Sequence, residues 1–178
     1  EERQHRKEFY GYYTKKMLTT TWTYRDDEDV EHCESVASTN YELRREWRKW
    51  VGDFNSVPGA KARLFCFPHA GGNSASYSRW HPYLPGVEVV PIMLPGRLMR
   101  AAEKPLNNIS DLVIMVFNAL HGLQLLSHDC LPFSLFGHEL GAIIAFELCR
   151  LIHCDFPPQA LFVSGMCGPQ VRHFNWKK

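Results

Sequence analysis

Apolar and polar positions divide the chain into two unlike parts, meeting near residue 60. Beyond that point four short apolar runs recur, at residues 63–67, 87–94, 133–137 and 160–165. The second run is almost continuously apolar, as expected of a parallel strand covered on both faces. Helical patterns fill the gaps. One runs from Ala75 to about His81 and is ended by Pro82 and Pro85. A second is capped by Ser110 or Asp111 and runs to about Leu126, and a third covers residues 142–152. Strands spaced by helices form βαβ units with right-handed crossovers. The predicted fold class is α/β, a mostly parallel sheet of about four strands with helices on both faces.

Before residue 60 the pattern changes. Residues 9–24 are rich in Tyr, Thr and Trp, and 17–24 read as a strand by β propensity; 25–34 are acidic and read as loop. Thr39 with Glu42 forms a capping box, which opens a helix through about Val51. Leu43, Trp47, Trp50 and Val51 fall on one apolar stripe, and Arg44, Arg45, Arg48 and Lys49 occupy the rest of the surface. Two readings stay open: the helix packs on the following domain, or its basic, Trp-bearing face docks an acidic partner. The predicted organisation is an N-terminal extension over 1–50 and an α/β domain over 51–178.

Composition narrows the classes. With 178 residues, 45% hydrophobic content and a net charge of +1, the chain can bury a core and lacks the basic footprint of a nucleic-acid binder. No apolar run approaches the ~18–20 residues that span a bilayer. The six cysteines include no C-x-x-C pair, and Cys66 and Cys149 fall inside an apolar strand and helix. Reduced thiols in an intracellular compartment are expected, with no metal and no cofactor. The chain begins Glu1-Glu2 without methionine, which tilts the expectation toward a processed protein of the mitochondrial matrix or another organelle.

The chemistry centres on residues 132–141. An apolar strand leads into Gly137-His138-Glu139-Leu140-Gly141 and then a helix, the layout of the nucleophile elbow G-x-S-x-G. Gly137 and Gly141 are the small residues that let strand and helix approach. Glu139 stands at the apex, where a hydroxyl would be needed.

Four stretches in order carry a family resemblance: Arg63 to Gly72, Val89 to Arg97, Pro132 to Gly141 continuing through Leu148, and Leu161 to Gly165. The chain resembles the type II thioesterases, α/β-hydrolases that clear acyl chains from carrier proteins. The resemblance covers roughly residues 50–169 and leaves 1–49 unmatched. It implies an oxyanion hole with one backbone N–H near His69 or Ala70 and a second from Leu140. A Glu139 carboxylate beside those donors is expected to occupy the hole and hydrogen-bond to it. His138 is expected to be structural, and Arg97 to pin a loop. Downstream, Glu147, Asp155 and His153 lie at the wrong end of the sheet, and no acid accompanies His173. The family's lid, last strands and catalytic Asp and His are missing from the 178 residues. Loss of nucleophile or partners alone removes about 10⁴–10⁶-fold from turnover.

The resulting expectation is a catalytically inactive, thioesterase-like subunit of a larger complex, with protein partners that include an acyl carrier protein. The alternative is an active thioesterase whose remaining residues lie beyond residue 178 or on another chain. A Glu-nucleophile enzyme is a third variant. The apolar edge of the last strand and the run 112–117 both call for cover, so residues 1–50 are expected to extend away from the core toward neighbours.

Overall fold

The computed structural model describes residues 41–52, 54 and 56–167. Four parallel strands form one sheet in the order β2-β1-β3-β4. They are β1 (Ala62–Phe67), β2 (Val87–Pro91), β3 (Phe133–His138) and β4 (Leu161–Ser164). The elements between them are α2 (Ala75–Ser78), α3 (Ile109–Gly122) and α4 (Leu140–Ile152), preceded by α1 over residues 41–48. The α/β class is therefore as the apolar runs indicate.

Side-chain alternation along β1 builds both faces of the sheet. Phe65 and Phe67 enter the larger core with Val90, Leu135, Leu120 and Ile144 from neighbouring strands and the long helices. Leu64 and Cys66 face the other way, against Tyr77, Trp80, Val89 and Phe136, beneath α2 and the short turn after it. Burial pushes the Cys66 thiol up to about 12.

Several boundaries differ from the sequence pattern. The cap of α3 is Asn108, whose side-chain oxygen accepts from the N–H groups of Ser110 (2.8 Å) and Asp111 (3.4 Å). Ser110 and Asp111 are thus the capped positions, not the cap. The run 112–117 is not greasy on all sides in its setting. Leu112, Val113, Val116, Ala119 and Leu120 form one buried stripe, while Met115 is exposed, so the domain buries this helix with its own elements. β4 is as expected at an edge: Phe162 and Val163, on opposite faces, are both exposed.

The segment 41–52 packs onto the same core and does not reach away from it. Trp47 lies against Gly122 at the end of α3, and Trp50 is buried with the Arg100 guanidinium 4.2 Å above its ring. Val51 pairs antiparallel with Ile92, and Met93 N–H donates to Trp50 C=O (2.8 Å) while Gly52 N–H donates to Pro91 C=O (2.7 Å). Thr39, the strand expected at 17–24 and the acidic loop 25–34 lie outside the described residues.

At the amino ends of β1 and β2 sits a buried ion pair. Glu88 accepts from Arg63 Nε (2.9 Å) and Nη2 (2.7 Å), from Ser56 Oγ (3.0 Å) and from Val57 N–H (3.3 Å). Arg63 Nη1 also donates to Leu125 C=O at 3.0 Å. Burial pushes the Glu88 carboxyl up, but its hydrogen bonds and the Arg63 charge outweigh that and hold it below the ordinary value.

Candidate functional site at the strand-to-helix elbow

The turn between β3 and α4 is built on two close approaches. A Cβ on Gly137 would fall on the Gly141 carbonyl, and a Cβ on Gly141 would fall on that of Phe67. Only glycine at both positions lets α4 start directly against β1 and β3. Between them Glu139 takes φ 50° and ψ −114°, a left-handed conformation rare for a residue with a side chain. Its N–H donates to Ser164 C=O at 2.8 Å, tying the apex to β4. The backbone therefore has the strained elbow geometry that lifts one side chain above a sheet.

Glu139 projects into solvent from the N-cap position of α4. Its carboxylate makes no hydrogen bond to another described residue, so it does not occupy the donors at the loop after β1. The self-filled oxyanion hole is corrected here: an exposed carboxylate keeps its own hydration, which competes with burial against two amides. The positive end of the helix dipole favours its charge in place.

His69 and Ala70 follow β1 on the same side of the sheet as Leu140, which opens α4. The N–H groups of Ala70 and Leu140 donate to no other described residue, leaving them available to an acceptor at the elbow. The loop that carries Ala70 is held by Arg97, whose Nη1 donates to Gly72 C=O at 3.1 Å, and by Tyr77, whose hydroxyl donates to Phe67 C=O at 3.1 Å. The ring of His69 stands edge-on to that of His138, with centroids 5.8 Å apart.

His138 Nδ1 and Ser164 Oγ lie within hydrogen-bond reach at 3.1 Å. Ser164 is the residue that sequence reasoning passed over. The signal was the register: parallel strands β3 and β4 set His138 beside Ser164 at their carboxyl ends. The acids and histidine that follow are elsewhere. Glu147 pairs with Arg150 (3.0 Å) on α4, and His153 Nδ1 lies 2.9 Å from Arg150 C=O at its far end. Asp155 precedes β4, whereas Glu139 follows β3, so the two sit at opposite ends of parallel strands. His173 lies outside the described residues.

A groove of about 430 Å³, lined by Ser74, Ala75, Ser78, Met93, Leu98 and Met99, holds none of the elbow residues. No group of three metal-ligating side chains occurs among the described residues, and no helix among them is long and apolar enough to cross a membrane.

Comparison with known proteins gives one consistent family. The thioesterase domain family matches residues 62–178. The gramicidin S biosynthesis protein GrsT of Aneurinibacillus migulanus is 40% identical over 126 residues, 69% of this chain and 47% of that protein. Two solved structures align at similar extent. The RedJ thioesterase of the prodiginine pathway in Streptomyces coelicolor has a TM-score of 0.59 and 36% identity, over 67% of this chain and 47% of that one. The type II thioesterase BorB of the borrelidin biosynthetic cluster has a TM-score of 0.55 and 35% identity, over 64% and 47% respectively. The chain thus spans about half the length of these relatives.

Proposed function

The chain belongs to the thioesterase family, and on that premise we propose that it keeps the family's scaffold without its hydrolytic chemistry, as a structural or carrier-protein-binding subunit of a larger assembly. The observation that carries this reading is Glu139 at the apex of a fully formed elbow. A carboxylate there has no proton to give up and no oxygen basic enough to displace a thiolate efficiently. The exchange of nucleophile for carboxylate leaves the backbone donors of Ala70 and Leu140 with no attacking group to serve. Removal of the nucleophile alone lowers turnover by about 10⁶-fold in a serine hydrolase.

A second reading is supported by the chain's covering about half of its relatives' length. In it the protein is an acyl-carrier-protein thioesterase completed by residues beyond 178 or by another chain. The protein isolated from its native source, with any residues beyond 178 and any co-purifying chain retained, separates the two when given an acyl thioester of N-acetylcysteamine, with thiol release followed colorimetrically. The expected rate equals the buffer blank. Glu139→Ser is expected to stay at the blank too, since His153 and Asp155 lie at the other end of the sheet from the apex. Turnover that rises clearly above the blank and disappears in Glu139→Ala would overturn the inactive reading.

A further inference from the structure

Helix α1 divides into three sectors. One side, carried by Trp47 on the helix and by Trp50 and Val51 just past its end, is turned to the core. Glu42 and Glu46 share another, where Glu46 holds Lys49 in an ion pair at 2.6 Å. Arg44, Arg45 and Arg48 fall within an arc of about 100°, all three exposed, and Tyr41 lies inside that arc with 72% of its surface exposed. None of the three arginines has an ion pair or hydrogen bond with a described residue.

We propose that this Tyr41–Arg44–Arg45–Arg48 arc is a docking surface for an acidic helix of a carrier protein. The choice of partner rests on the function proposed above; the surface itself rests on four features of α1. Arginine and tyrosine are the side chains enriched at protein interfaces, where lysine is depleted, and the one lysine here is already paired. Three guanidiniums without a partner among the described residues complement a row of carboxylates of similar pitch on a facing helix. A lipid surface fits poorly, because an interfacial helix inserts its apolar side, and Trp47 and Trp50 are committed to the core. A nucleic acid fits poorly as well, since exposed Glu42 and Glu46 border the arc and would meet a continuous polyanion. The arc lies before residue 62, where the thioesterase family match begins.

Titration of the 178-residue chain with a holo-acyl carrier protein by calorimetry, at low and at raised salt, tests this. Binding is expected to weaken with salt, and in the triple variant Arg44→Glu/Arg45→Glu/Arg48→Glu by about tenfold or more. Because the arginines hold no partner among the described residues, that variant should melt with the wild type, which separates lost docking from lost folding. An unchanged Kd in the triple variant would overturn the docking surface and leave carrier-protein binding standing. Failure of the wild type to bind at all would overturn both. Equal or tighter retention of a short DNA duplex or of phosphatidylserine vesicles, lost in the same variant, would assign the arc to that partner and overturn the proposal.

Discussion

Replacing Glu88 with leucine should be among the most damaging single changes in the domain. Four donors converge on this carboxylate, two of them from Arg63, and both side chains are almost wholly buried. Glu88→Leu leaves a buried guanidinium with one carbonyl partner, that of Leu125. Breaking a buried pair from one side costs about 3–5 kcal/mol, against a total stability of about 5–15 kcal/mol for a domain. Removing both charges in Arg63→Met/Glu88→Leu leaves no buried guanidinium, and adds only the Leu125 carbonyl, at about 1–3 kcal/mol, to the Ser56 and Val57 donors that Glu88→Leu already orphans. The double variant should therefore be more stable than Glu88→Leu alone. Urea unfolding followed by tryptophan fluorescence reads this as a shift in midpoint at constant slope. The pH dependence carries its own sign. Glu88 is held below its ordinary value of 4.5, so its contribution is complete above that pH and is lost as pH falls through the depressed value. Wild-type stability should fall more steeply in that acid range than that of the double variant. Costs that simply add in the double variant, or identical acid profiles, would refute the pair as a coupled unit.

Two further outcomes follow from the site and the core. Gly141→Ala places a methyl on the Phe67 carbonyl and should cost about 3 kcal/mol or more by thermal melt, since neither backbone can yield; a wild-type melt would refute the close approach. Cys66, buried and with its thiol pushed up to about 12, should resist iodoacetamide in the folded protein while exposed Cys154 reacts, as peptide mass spectrometry would show. Rapid native labelling of Cys66 would contradict its burial.

Much of the architecture was legible because its signals are local. Parallel strands covered on both faces leave apolar runs, and β1 to β4 fall at the four runs within a few residues. The elbow was legible from Gly137, Gly141 and the residue between them. What was hidden depends on tertiary partners. Asn108 caps α3 although Ser110 and Asp111 are equally plausible by residue type, and backbone direction decides between them. The bridge from Val51 to Ile92 needs the end of β2 as a partner, which no pattern in residues 41–52 reveals. Ser164 gained its contact with His138 through strand register. Residue type and the nearby donors of Ala70 and Leu140 point Glu139 into the hole, whereas its side chain is exposed and makes no hydrogen bond to a described residue.

The strand order also sets a timetable for synthesis. β1 and β2 can pair as soon as residue 91 has left the ribosome, but the other side of β1 stays open until β3 arrives. That delay spans the loop after β2 and the whole of α3, more than forty residues. At ~5–20 residues per second the nascent chain would show the bare edge of β1, with Phe65 and Phe67 half covered, for several seconds. During that interval the edge is a template for any passing strand. A chaperone that holds extended apolar segments would find its binding window there, and the window closes when β3 pairs with β1, after which the glycine pair at 137 and 141 seats α4 against both strands.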